Sequence, residues 1–133
     1  MLQIEEGLKG KMEKVVEDQD LASFKGNIGA EVLSTHCIVL LMEQAARKAI
    51  EGRLPADKIT VGTMINLRHF AATPLGAKVR AEALLREVEG RKLVFDVVVY
   101  DDVEKVAEGV NERYIVSFDK FLEKVRRKQD NQQ

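Results

Sequence analysis

At 133 residues the chain is one domain's worth of sequence (1–133), long enough for one sheet and its helix around a real core. Hydrophobic residues make up 45%, charged residues 32%, and the formal net charge is -1, which argues against disorder and against a nucleic-acid partner. No apolar run reaches the roughly 20 residues of a membrane span. Met1 to Glu6 lacks a secretory signal pattern, and the lone Cys37 can form no internal disulfide, so a cytoplasmic protein is expected.

Lys11 to Val16 is short and partly alternating, as in an edge strand. Residues 17 to 31 read as a long loop, with Gly26, Asn27 and Gly29 as turn residues. Leu33 to Ile50 then predicts one helix. Ser34 serves as N-cap, and Gly52 and Pro55 mark the stop. From Cys37 to Met42 no residue is polar, so the apolar surface runs nearly all round and the helix is expected to be enclosed. Glu43 follows at once. Thr35 lies in the first turn, where free N–H groups and the helix dipole favour an oxyanion or a carbonyl.

Lys58 to Phe70 predicts a strand with Ile59, Val61, Thr63, Ile65, Leu67 and His69 on one face. Thr73-Pro74-Leu75-Gly76 makes a turn, and Ala77 to Arg86 alternates as a strand with one wet face. Lys92 to Tyr100, apolar except for Asp96, reads as a central strand. Lys105 to Phe118 is the last, with Gly109 as its expected bulge. The order is an α+β one, an antiparallel meander wrapped round a helix. Phe118, Phe121, Leu122 and Val125 recur at helical spacing, so a short C-terminal helix is expected to dock. Arg126-Arg127-Lys128 is its solvated end, and residues 129 to 133 are expected to fray. An amphipathic sheet with so little chain to cover it calls for a partner at its edge, hence a homodimer.

Several segments together resemble the hotdog-fold acyl-CoA thioesterases, and within them the fluoroacetyl-CoA thioesterase family. They are Leu33-Ser34-Thr35, Leu41-Met42-Glu43, Val61-Gly62-Thr63, Arg68 to Pro74, Val88 to Arg91 and Asn111-Glu112-Arg113. The resemblance covers roughly residues 30 to 128. It implies a long helix wrapped by an antiparallel sheet, a dimer, and hydrolysis of acyl-CoA with coenzyme A as part of the substrate and no cofactor. It also implies that Thr35, Glu43 and His69 are the catalytic set, with Gly62 and Arg113 near the substrate. Gly26 to Ala30 offers no aromatic lid, so the acyl group stays open.

The chemistry needs an activated water or nucleophile, donors for the oxyanion and a proton for the leaving thiolate. His69 can take and return a proton near neutral pH, where an unperturbed imidazole titrates. Glu43 can orient that imidazole or attack the carbonyl itself, Thr35 can place the carbonyl or the water, and the Gly62 N–H can donate to an oxyanion. Plainer readings stand beside these: a Glu43–Arg47 surface pair, a core His69, a capping Thr35 and a cross-strand Arg113. His36 competes with His69 as the working imidazole. No metal-ligand spacing is present. The alternatives are a non-catalytic acyl-CoA or acyl-carrier binding module, a hotdog 3-hydroxyacyl dehydratase or hydratase, and a purely structural protein.

Overall fold

The computed structural model describes residues 3–132. Five strands form one antiparallel sheet: β1 (Lys9–Val15), β2 (Lys58–His69), β3 (Lys78–Glu89), β4 (Lys92–Tyr100) and β5 (Lys105–Ser117), in the order β1-β3-β4-β5-β2. A central helix α1 (Thr35–Ala49) packs on the sheet, and α2 (Phe118–Asp130) ends the chain. Only β3-β4-β5 is a meander, because β2 pairs with β5 rather than with β3. β4 is central, as its apolar run predicts, with Phe95, Val97 and Val99 fully buried. Truncating a ring buried like Phe95 costs about 3–5 kcal/mol.

The helix sits close because the seam is built of small residues. Ala45, Ala46 and Ala49 of α1 and Ala81 and Ala83 of β3 are buried there. Gly10 of β1 lies so near that an added Cβ would fall 2.2 Å from the Ala45 carbonyl oxygen. One flank of α1 is open, against expectation: Leu40 is 51% exposed, because the sheet covers only the Ile38, Leu41, Met42, Ala45 side. No helix of the described residues is long and apolar enough to cross a membrane.

Three further expectations change. The β2 row of side chains is broken by a bulge between Gly62 and Met64, where the register against β5 slips. A one-residue slip moves every later side chain to the other face. Thr60 and Gly62 therefore lie opposite the buried Ile115 and Arg113, and beyond the bulge Ile65, Leu67 and His69 lie opposite Asn111, Gly109 and Ala107. Gly109 is not a bulge. It stays in register with Leu67 and Val97, and a side chain is excluded because a Cβ there would sit 2.2 Å from the Asn66 carbonyl oxygen of the neighbouring strand. Finally, α2 runs to Asp130 and buries no residue, leaving Phe118, Phe121 and Val125 half exposed rather than docked. Residues 129 and 130 are thus helical, and Gln133 lies outside the described residues.

Candidate functional site

The start of α1 is fixed by its surroundings before Thr35 is reached. Ser34 Oγ caps by accepting from the Cys37 N–H at 3.3 Å, and the Ser34 N–H donates to the Asp20 carbonyl at 2.8 Å. Asp20 is itself buried. Burial works to raise its carboxyl, but the Glu17 N–H, the Lys14 ammonium at 2.9 Å and the Cys37 thiol together hold it below its ordinary value. Cys37 is thus a half-buried thiol donating to Asp20 at 3.6 Å. The loop expected over 17 to 31 is anchored at this point.

The end of β2 is tied to the same place. The Leu33 N–H donates to the Thr73 carbonyl at 2.9 Å and Val32 bridges to Pro74, so the chain just past His69 is bound to the chain just before Thr35. Thr35 Oγ1 and His69 Nδ1 meet at 2.9 Å. His69 Nε2 is buried without a hydrogen-bond partner. Burial, which favours the neutral ring, pushes the imidazole below its ordinary value, and the Ala71 backbone partly offsets this. His36 is exposed, and its side chain makes no hydrogen bond among the described residues.

Glu43 belongs to a second node. Its Oε2 lies 3.2 Å from Arg113 Nη1, and Arg113 is buried while the Glu43 side chain is 31% exposed. Arg113 also donates from Nε to Thr60 Oγ1 at 3.1 Å, from Nη2 to the Thr60 carbonyl at 3.3 Å, and from Nη1 to Asn111 Oδ1 at 3.4 Å. Burial pushes the guanidinium below its ordinary value, the Arg47 charge adds to this and Glu43 opposes both. The guanidinium stays charged at neutral pH all the same. Gly62 faces this pair, since a Cβ there would lie 2.7 Å from Glu43 Oε2 and 3.2 Å from Arg113 Nη1.

The two nodes are separate within one chain. Thr35 and Glu43 are eight residues apart in α1, a rise of about 12 Å. Sequence reasoning missed Thr60 and Asn111. The alternation Asn111, Arg113, Ile115 on one face of β5 was the available signal, because two polar side chains in an inward row need partners. Among the described residues no group of three or more His, Cys, Asp or Glu could hold a metal ion.

The chain as a whole is similar to known proteins. Residues 16–119 match the family described as fluoroacetyl-CoA-specific thioesterase. The fluoroacetyl-CoA thioesterase of Streptantibioticus cattleyicolor is 41% identical over 98 residues, covering 74% of this chain and 70% of that protein. A crystal structure of a point mutant of the fluoroacetyl-CoA-specific thioesterase, in complex with fluoroacetate and CoA, is similar at a TM-score of 0.83. It is 31% identical, over 89% of this chain and 99% of that one. A thioesterase superfamily member from Thermus thermophilus is similar at 0.91, with 28% identity over 98% and 97% of the two chains. The fold is therefore the hotdog fold.

Proposed function

The chain belongs to the fluoroacetyl-CoA-specific thioesterase family, and from that premise we propose that it hydrolyses small acyl-CoA thioesters to free acid and CoA. The observation that carries the mechanism is the state of His69. In the tautomer whose Nδ1–H donates to Thr35 Oγ1, the buried Nε2 is an acceptor without a partner, on an imidazole whose neutral form burial favours. That is the form of a general base. Water attacks the thioester carbon as Nε2 takes its proton. The Gly62 N–H and the first turn of α1 donate to the oxyanion, the C–S bond breaks, and the imidazolium returns the proton to the thiolate. Glu43, set by Arg113, supplies the negative charge that stabilises the imidazolium.

This set closes only if the two nodes meet, which leads to the homodimer. β2 is an edge strand with one row of backbone groups unpaired. Antiparallel pairing of β2 with its copy, centred between Ile65 and Asn66, would set His69 of one protomer across from Gly62 of the other. Thr35–His69 would then face Glu43–Arg113 across the interface. The free Cys37 is compatible with a cytoplasmic location.

The test is free-thiol release from short, medium and aromatic acyl-CoAs by the wild type, His69→Ala and Glu43→Ala. Turnover of at least one ester, lost in both folded variants, is the expected result. Thermal stabilisation by acyl-CoA with no thiol released would replace the reading with a binding module. A His69→Ala variant that keeps its rate would remove His69 from the mechanism.

A further inference from the structure

Side chains as well as the backbone ladder tie the β2 bulge to β5. Thr63 is the residue left without a partner where the register slips between Gly62 and Met64, and its Oγ1 donates to the Glu112 carbonyl at 3.2 Å. From the other strand, Asn111 Nδ2 donates to the Met64 carbonyl at 3.0 Å, with the Glu112 carbonyl further off at 3.5 Å. Asn111 is wholly buried. A bulge disrupts the ladder locally, and this amide gives the Met64 carbonyl a donor there.

The other end of the same amide reaches the candidate site. Oδ1 accepts from Arg113 Nη1 at 3.4 Å, and Nη1 is the nitrogen that donates to Glu43 Oε2 at 3.2 Å. Nη1 carries two hydrogens, so Asn111 and Glu43 take one each, while Nε and Nη2 are occupied by Thr60. The surroundings also fix which way the amide faces. Turned over, it would set its NH2 group against the guanidinium and its oxygen against two carbonyls. The position thus calls for a neutral side chain that donates on one side and accepts on the other.

Stability alone would account for a buried asparagine that closes a bulge. It would not account for the second contact. A Cβ on Gly62 would lie 3.2 Å from Nη1 and 2.7 Å from Glu43 Oε2, so the bulge, the guanidinium and the carboxylate stand against one another. Asn111 binds the first two directly and the third through Nη1. A displacement of its amide therefore moves two groups that the mechanism uses from different elements, the Gly62 N–H on β2 and the Glu43 carboxylate on α1.

We propose that Asn111 is a positioning residue for thioester hydrolysis, holding the Gly62 N–H of the bulge and the Arg113–Glu43 pair in one fixed relation. This rests on the acyl-CoA hydrolase reading above. Asn111 acts through these groups and touches no reacting atom. Without it the donor and the carboxylate settle independently, and the oxyanion and imidazolium that develop in the same transition state are no longer met together.

The test uses the full chain with Asn111→Asp, which keeps the size and the acceptor, loses the donor to Met64 and adds a charge that competes with Glu43 for Nη1. Asn111→Ala, which removes both contacts and adds no charge, is the second variant should the buried carboxylate prevent folding. Each is assayed where its unfolding curve shows it folded, with kcat expressed per folded molecule. For one acyl-CoA, kcat is expected to fall about ten- to a hundredfold in either variant, with KM within about twofold of the wild type. In a Gly62→Ala background, where the carboxylate is already displaced, the same change is expected to cost less than about threefold. The NMR resonances of the Gly62 amide and the Arg113 Nε–H report the two positions without substrate, and both are expected to shift. A lower melting temperature with kcat unchanged overturns the proposal and leaves the hydrolase reading intact. Equal fold losses in the two backgrounds, or a Gly62 amide that does not shift, also overturn it. If the wild type hydrolyses no ester while both resonances shift, the coupling through Asn111 stands and the hydrolase reading falls.

Discussion

Replacing Gly62 by alanine tests the geometry around Glu43 with a single methyl group. The new Cβ would lie 2.7 Å from Glu43 Oε2, and ordinary contact begins near 3.4 Å, so the carboxylate must retreat by about 0.7 Å. The other near atom, Arg113 Nη1 at 3.2 Å, has little freedom because Thr60 and Asn111 also hold the guanidinium. Glu43 can yield at small cost, being the end of a flexible chain that is 31% exposed. Gly62→Ala should therefore lower stability by no more than about 1 kcal/mol while moving the charge that, in the proposed dimer, faces the partner's imidazole. A misplacement of about 1 Å at a reacting centre costs on the order of a hundredfold. A loss of roughly ten- to a hundredfold in kcat is expected, or about 1.4–2.7 kcal/mol in activation free energy. The assays are thermal unfolding and thiol release under saturating acyl-CoA. A folded Gly62→Ala enzyme with wild-type kcat would refute the argument, since Glu43 would then have no positional role.

Gly10→Ala should behave in the opposite way: its Cβ would fall 2.2 Å from the Ala45 carbonyl oxygen and 2.3 Å from the Ala49 nitrogen, both rigid helix backbone. A loss of about 1–3 kcal/mol or more is expected in urea titrations, and near-normal stability would show that α1 does not press on β1. The acid limb of kcat/KM should have its midpoint below the ordinary imidazole value of about 6.5, because burial favours the neutral ring of His69; a midpoint above it would contradict the buried environment. Asp101 sets the acid stability of the β4–β5 turn. Burial alone would raise its carboxyl, but the Val103 and Glu104 N–H groups and the buried Thr73 hydroxyl hold it below its ordinary value. Its contribution is therefore complete above about pH 4 and is lost as pH falls through the lower folded value. Asp101→Ala should flatten the fall of melting temperature on acidification and cost about 1–3 kcal/mol at neutral pH through the orphaned Thr73 hydroxyl. An unchanged pH profile would argue against it.

The helix, the central strand and the N-cap at Ser34 were legible because each is a local pattern: period, apolar run and capping residue lie within a few positions. The pairing of β2 with β5 was not, since strand order depends on contacts between segments separated by two other strands. Resemblance singled out Thr35, Glu43 and His69 together, whereas their division into two nodes was not legible, because spacing along a chain does not give distance across a fold. The bulge after Gly62 hid in an alternation that looked unbroken. Arg113 read as a cross-strand charge because burial of a cation depends on partners such as Thr60 and Asn111, which sequence alone does not bring together.

The strand order also has a kinetic consequence. β3, β4 and β5 join through short turns, whereas β2 meets β5 through pairs such as His69 with Ala107 and Lys58 with Ser117, about 40 to 60 residues apart. Closing loops of that size precedes any return from the contacts, so β2 is expected to zip on after the meander. In the isolated protomer its amides should exchange with deuterium well before those of β4, which has a neighbour on each side. Gly62 and His69 thus sit on an edge strand, and on the proposed reading the second copy's β2 would quiet the strand that carries the imidazole.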